Sequence, residues 1–292
     1  MRALLRLAYR ISDRLKETLL VLWLSLPVAF LWRGAQSFPV IASLTTYPPR
    51  ISKSWMAIET LLRQSVKPEK LLLVLNLEEF PSRKLPRKIE DQTRRGLEIL
   101  WVERNGRSHD KLLPVRAAFP GSTIVTFDDD KFFPRNLLEK LIHSSQLNEG
   151  KVIGARGWEI RHSEDNTDIR FGKGWTRATP DSEGRHLFFP GGNGCLYPYE
   201  SLHTSVDNID DALRVCPTAD DIWFWGAMQK NTSDMVCLGL PPHRPVSKLK
   251  TGPALSALGE EENERQFLDA LDFFDICNEV HRNSLPAVIE DV

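Results

Sequence analysis

Three consecutive aspartates that follow a β-branched run constrain this chain more than any other feature. Residues 123–127 predict a buried strand, and Asp128, Asp129 and Asp130 come directly after it. Adjacent carboxylates that lose water repel one another, so such a strand end needs a cation between them. Divalent cations prefer oxygen ligands, and open α/β sheets bind ligands at the carboxyl ends of their strands. The triplet therefore predicts a metal-assisted site for a phosphate-bearing substrate.

Strand and helix patterns alternate along the chain from Phe38 onward. Apolar runs predict strands at residues 39–44, 71–76, 97–102, 123–127, 151–158 and 234–240. Helical patterns cover residues 52–64, 86–95, 112–119, 136–146, 215–231 and 261–278. This alternation indicates βαβ units and an α/β fold, with a Rossmann-like mixed, mostly parallel sheet flanked by helices.

Composition and missing motifs exclude several classes of function. The net charge is −1 and no dense basic stripe is present, which argues against a general nucleic-acid binder. The four cysteines lie far apart, without the spacing of a zinc site or a disulfide framework. A Walker A sequence and a GxGxxG after the first strand are both absent. The chain has no EF-hand spacing, so a structural calcium site is not expected.

The N-terminus differs from the rest of the chain. Residues 1–17 carry five basic and two acidic side chains on an amphipathic pattern, and residues 18–32 carry no charge. Those 15 residues fall short of the roughly 20 that span a bilayer. We expect residues 1–36 to be a segment that lies on the inner face of the cell membrane, ahead of a cytoplasmic domain at 37–292. The alternatives are packing on the domain or a partner, a short span, and an uncleaved signal.

Four phrases, read together, resemble the GT-A glycosyltransferases, and more narrowly those encoded in bacterial surface-polysaccharide loci. They are SLTTYPPRI (43–51), RQSVKPEKLLLVL (63–75), FDDDKFFP (127–134) and CPTADDIWFW (216–225). The resemblance covers about residues 38–280 and leaves out the N-terminal segment. It implies a GT-A type fold, an Asp-x-Asp (DXD) motif in the triplet and a nucleotide-sugar donor, but no particular sugar.

The resemblance also implies a donor half of the site with Mn²⁺ or Mg²⁺. Asp130 would bind the metal, Asp128 the donor and the metal, and the role of Asp129 stays open between them. His243 is placed where many GT-A enzymes complete the metal shell, although its flanking residues match no motif. The turn after the first strand would hold the nucleotide, with a cation from the next segment: Thr45, Thr46, Tyr47, Arg50 and Lys111. An ordinary turn and a solvated lysine are the alternatives.

The acceptor half is predicted in the last third of the chain. An inverting transfer needs a carboxylate to take the acceptor proton, and Asp221 is favoured over Asp220 for this role. Both acids could instead complement a helix N-terminus. The glycine-rich loop and two aromatic residues are candidates for contact with the acceptor sugar: Gly192, Asn193, Trp223 and Trp225. A tight hairpin and core tryptophans are the alternatives.

The predicted function is metal-dependent, hexosyltransferase-like sugar transfer from a nucleotide-sugar donor to a glycan or lipid-linked acceptor, in lipopolysaccharide or capsule synthesis. The inverting course is favoured, and a retaining course stays open. A sugar-phosphate nucleotidyltransferase is the second enzyme hypothesis, but the basic GxGxR loop of that class is absent. A catalytically silent module that binds glycans through its tryptophans is the third.

Overall fold

The computed structural model describes residues 15–26, 36–160, 170–246 and 260–276. Two predictions therefore lie in part outside the described residues: the N-terminal segment at 1–36 and the end of the helix predicted at 261–278. The strands are β1 (Ser37–Thr45), β2 (Lys67–Asn76), β3 (Leu97–Val102), β4 (Thr123–Phe127), β5 (Lys131–Phe132), β6 (Val152–Gly154), β7 (Trp158–Glu159), β8 (Thr176–Arg177), β9 (Leu187–Phe188), β10 (Asn193–Tyr197), β11 (Met235–Cys237) and β12 (Arg244–Pro245).

Seven strands form the main sheet in the order β11-β6-β10-β4-β1-β2-β3. Strand β1 pairs in parallel with both β2 and β4, and β2 pairs in parallel with β3. Strand β10 runs antiparallel between β4 and β6, and β11 is parallel to β6. The predicted α/β class with a mixed, mostly parallel sheet is confirmed. Because β1 to β4 are parallel, the loops that follow them emerge at one edge.

Helices cover both faces of this sheet. They are α1 (15–25), α2 (Pro48–Leu62), α3 (Arg87–Thr93), α4 (Leu113–Ala118), α5 (Leu137–Leu147), α6 (Ile209–Val215), α7 (Asp220–Lys230) and α8 (Glu260–Phe273). Alternate residues of β2 enter opposite cores: Leu73 packs with residues of α2, α3 and α5, and Val74 packs with residues of α4, α7 and α8. This period of two is what a strand buried on both faces requires. No helix in the described ranges is long and apolar enough to cross a bilayer.

Two predicted boundaries are wrong near the site. Helix α2 begins at Pro48 rather than after Ser52, with Tyr47 as the N-cap residue. Proline is tolerated there because the first helical N–H has no partner within the helix. Helix α7 begins at Asp220, so the first five residues of the helix predicted at 215–231 precede it. The first shift places Arg50 in the first turn of α2, and the second leaves residues 216–219 in the loop before α7.

Candidate active site

The edge formed by the carboxyl ends of the parallel strands opens into a cleft of about 810 Å³. Its walls come from the turn after β1, the ends of β2 and β3, the triplet after β4 and the start of α7. The lining includes Thr45, Thr46, Tyr47, Arg50, Asn76, Glu79, Asn105, Arg107, Lys111, Asp128, Asp129, Asp130, Asp220 and Asp221. The structure thus brings the predicted donor residues and the predicted base together, although about 90 residues separate the two acid groups in sequence.

Lys111 joins the two halves of the cleft. It ends a 3₁₀ turn, Arg107–Lys111, and is only 4% exposed. Its Nζ lies 2.8 Å from Oδ1 of Asp128 and 3.0 Å from Oδ2 of Asp220. Burial opposes the charge, but these carboxylates hold the pKa of Lys111 well above its usual range. The lysine is therefore a fixed, buried cation and not the solvated side chain of the alternative interpretation.

Asp128 also contacts a second lysine and the backbone of the glycine-rich loop. Its Oδ2 accepts a hydrogen bond of 2.6 Å from Nζ of Lys131. Burial acts against the charge, yet Lys111 and Lys131 hold the pKa of Asp128 well below its usual range. The backbone N–H of Asp128 donates to the carbonyl of Gly192 at 2.9 Å. A Cβ on Gly192 would lie 1.8 Å from Cγ of Asp128, so only glycine lets this loop approach the carboxylate.

Asp129 and Asp130 share one arginine from the first turn of α2. The guanidinium of Arg50 donates to Asp129 at 3.0 Å and to Asp130 at 3.2 Å. The hydroxyl of Thr46 donates to the other oxygen of Asp129. Burial raises the pKa of Asp129 to about 6, against the favourable charge of Arg50. Arg50 is thus held against the triplet by two carboxylates, and its role toward a donor stays a prediction.

The fit of a divalent metal depends on which carboxylate oxygens remain available. Within the described ranges, no group of three or more His, Cys, Asp and Glu side chains is arranged to enclose a metal ion. Both oxygens of Asp128 and both of Asp129 already accept hydrogen bonds. Oδ1 of Asp130, by contrast, is buried and lacks a hydrogen-bond partner in the part of the chain that the structure describes. Mg²⁺ is commonly held by one or two carboxylates together with substrate phosphates, so Asp130 fits such an ion.

The second acid pair opens helix α7. Its N-cap residue, Ala219, makes no side-chain capping hydrogen bond. The side-chain oxygen of Gln266 in α8 instead accepts hydrogen bonds from the N–H groups of Thr218 and Ala219, each at 3.1 Å. The backbone N–H of Gly191 donates to Oδ1 of Asp221 at 2.7 Å. Burial, together with the nearby Asp220 carboxylate, raises the pKa of Asp221 to about 7. Asp220 points to Lys111, so Asp221 is the acid that a substrate proton could reach.

The predicted stacking of tryptophans on a sugar is wrong for both residues. Trp223 and Trp225 are fully buried. Their indole N–H groups donate to the carbonyls of Val206 and Leu187, and their rings pack against phenylalanines of the C-terminal region. Successive apolar residues of α7 are buried all round the helix, so the aromatic signal in the sequence reports the core.

Two further predicted site residues lie away from the cleft. Asn193 is buried in β10, where its amide donates to the carbonyl of Pro190 at 3.3 Å. His243 places Nε2 2.7 Å from the carbonyl of Asn193 and its ring against Phe133. Burial lowers the pKa of His243. The histidine lines a different cavity from the triplet, so it does not complete a metal shell with Asp130 in this structure.

The sequence reasoning missed several side chains of the cleft. Lys131 follows the triplet and binds Asp128, Asn76 ends β2, Glu79 comes shortly after it, and Asn105 and Arg107 follow β3. Each lies at or just beyond the end of a predicted strand, and parallel strands present their carboxyl ends at one edge. The rule that located the triplet could have located these residues as well.

The chain is similar to solved structures, but not to any protein-family model or curated sequence. No family model and no curated protein sequence matches the chain. Similar solved structures include Staphylococcus aureus TarS 1–349 in complex with UDP, at a TM-score of 0.46, 12% identity, 70% of this chain and 59% of that chain. The complex of TarS 1–349 with UDP-GlcNAc gives a TM-score of 0.49, 10% identity and coverage of 82% and 66%. The chain thus spans about six-tenths of the length of the first of these structures.

Proposed function

We propose that this chain is a metal-dependent glycosyltransferase. It transfers a sugar from a nucleotide-sugar donor to a glycan or lipid-linked acceptor in the synthesis of a bacterial surface polysaccharide. The observation that carries the proposal is the bridge made by Lys111, which contacts Asp128 at 2.8 Å and Asp220 at 3.0 Å within one cleft. Two of the four phrases that resemble GT-A glycosyltransferases, FDDDKFFP and CPTADDIWFW, therefore contribute to a single site.

The donor half matches the charge of a diphosphate leaving group. Three cations, Arg50, Lys111 and Lys131, lie among the triplet carboxylates and can bind phosphate oxygens. Asp130, with its unpartnered Oδ1, would hold Mn²⁺ or Mg²⁺. When bound, such an ion neutralises negative charge that develops on the departing phosphate. Thr45 and Tyr47 line the cleft beside this group, where the nucleotide is expected.

The acceptor half supplies a base. An inverting transfer requires a carboxylate to remove the proton from the acceptor hydroxyl as it attacks the sugar. Asp221 suits this role because its pKa is raised to about 7, close to the pH at which a general base works best. The N–H of Gly191 fixes one of its oxygens, which leaves the other for the substrate. The burial of both tryptophans removes the main support for a silent glycan-binding module.

Nucleotide binding provides the first test. We expect one or more nucleoside diphosphates to raise the melting temperature when Mn²⁺ is present, because ligand at about 100 times its Kd adds about 2.7 kcal/mol to the free energy of unfolding. Asp130→Asn should lose the metal-dependent part of this shift and the turnover of nucleotide sugars. Asp234→Asn changes an exposed carboxylate outside the cleft and is the matched control.

Three results would count against parts of the proposal. If the protein binds no nucleoside diphosphate and hydrolyses no nucleotide sugar, the proposal that it is a glycosyltransferase with a nucleotide-sugar donor is wrong. Full activity of Asp130→Asn would remove the metal assignment while leaving sugar transfer intact. Release of pyrophosphate from a nucleoside triphosphate and a sugar phosphate would indicate a nucleotidyltransferase instead.

A further inference from the structure

A second cavity, of about 480 Å³, lies between helix α1 and the ribbon formed by β5 and β12. Leu20 and Trp23 of α1 and Phe132 of the ribbon form part of its apolar lining. Basic side chains also line it: Arg135, Lys140 and Arg244. A cavity of this kind suits an amphiphilic anion. The hydrocarbon part would contact the apolar walls, and the phosphate would contact the basic side chains at the rim.

Helix α1 is fixed to the domain on its inner side. Arg63 at the end of α2 donates to the carbonyls of Trp23, Leu24 and Leu26 at 3.0 to 3.3 Å. Its guanidinium also lies 4.2 Å from the ring centre of Trp23. Leu24 is buried in a small core that includes Met56. These contacts determine which face of α1 is turned outward.

The outer face of α1 is an apolar stripe. The exposed large apolar side chains of the described residues number seven, and five of them lie in or directly after this helix: Leu15, Leu19, Leu22, Trp23 and Leu26. Each is between 49% and 60% exposed. Their spacing follows successive helical turns, so they form one continuous surface. Such a surface in water marks a site of contact with a membrane or a partner.

We propose that this stripe and the basic rim of the adjoining cavity form a docking surface for an anionic phospholipid bilayer. Residues 1–17, which lead into the stripe along the chain, carry five basic side chains against two acidic ones. A second copy of the chain is the less favourable occupant. A two-fold interface centred on the stripe would bring the basic rims of the two copies toward each other, whereas an anionic surface attracts them.

Flotation with lipid vesicles tests the apolar part without any enzyme assay. The full chain should float with vesicles of phosphatidylglycerol and phosphatidylcholine, and float less with pure phosphatidylcholine. Leu19→Asp with Leu22→Asp should lower partitioning by at least about tenfold, since two apolar side chains no longer enter the lipid. Leu147→Asp with Leu268→Asp alters two exposed leucines elsewhere and should float like the parent. Serine at positions 19 and 22 repeats the test without added charge.

The cavity rim is tested by removing its charge. Arg135→Gln with Lys140→Gln should weaken binding to anionic vesicles about 25-fold at low salt, as each basic residue near such a surface contributes about fivefold. Arg94→Gln with Arg214→Gln removes two exposed charges elsewhere. The proposal is overturned if the parent does not bind anionic vesicles, or if the leucine variants float as well as it does. It is also overturned if those variants change only the oligomeric state, or if the rim pair matches its control.

Discussion

Two clusters of buried charge in this protein differ in one respect: whether every carboxylate oxygen has a partner. Around Glu59, which is 2% exposed, both oxygens accept hydrogen bonds from Arg63, Arg95 and Gln92 at 2.7 to 3.1 Å. Burial opposes its charge, but these donors lower the pKa of Glu59. Glu59 itself lines neither of the two cavities described above. Its carboxylate is fully paired, and we call this group of residues the satisfied cluster; it connects α2 to α3 and to the turn that follows α3.

The cleft has the opposite character. Its acids outnumber its cations: six carboxylates line it, against Arg50, Arg107 and Lys111 in the lining and Lys131, which pairs with Asp128. One oxygen of Asp130 lacks a partner among the described residues, and Asp221 has a pKa raised to about 7. A carboxylate at the wall of a cleft that lacks a full set of partners can still bind a cation or a proton. The difference indicates that charge density alone does not identify a site, whereas incomplete pairing beside a cleft does.

The largest expected effect is on Asp221. Asp221→Asn keeps the shape of the side chain but cannot accept the substrate proton, so kcat for sugar transfer should fall about 100- to 10,000-fold. Donor binding and the melting temperature should change little, because the hydrogen bond from Gly191 can still be accepted by the amide oxygen. Steady-state kinetics with the cognate donor measures the effect.

Asp220→Asn serves as the comparison for this variant. It removes one of the two carboxylates on Lys111, so we expect a weaker affinity for the donor and a smaller loss in kcat. The reverse pattern, in which Asp220→Asn abolishes turnover and Asp221→Asn is mild, would assign the base to Asp220.

A smaller effect, on stability alone, is expected in the satisfied cluster. Glu59→Ala leaves the buried Arg63 and the partly buried Arg95 without this carboxylate and should lower the free energy of unfolding by about 3 to 5 kcal/mol. Activity per folded molecule should be retained, since Glu59 does not line the cleft. Urea denaturation measures the change in the free energy of unfolding. Glu98→Ala breaks a surface pair with Lys70 and should cost at most about 1 kcal/mol. Equal costs for the two variants would contradict the distinction between the clusters.

The positions of the acids in the cleft could be predicted from the sequence, whereas their partners could not. The strands β1 to β4 and the acids that follow them are determined by local patterns, and their meeting at one edge follows from parallel pairing. The partners of those acids depend on contacts across the fold, such as Lys111 with Asp220. Trp223 and Trp225 were assigned to the site because an aromatic run next to acids is compatible with either a sugar platform or a core. Their burial was decided by α8, which packs on them from about 45 residues away.

The smallest of the expected effects is a pH dependence that belongs to the cleft alone. Burial raises the pKa of Asp221 to about 7, so this carboxyl is protonated below that pH and cannot act as a base. The quantity kcat/KM should therefore be constant above about pH 8 and fall about tenfold per pH unit below 7. Measurements between about pH 6 and pH 8.5, with melting temperatures recorded in the same buffers, separate this loss from unfolding. The residual activity of Asp221→Asn should lack the acid limb. If the variant keeps that limb, another group carries the proton and Asp221 is not the base.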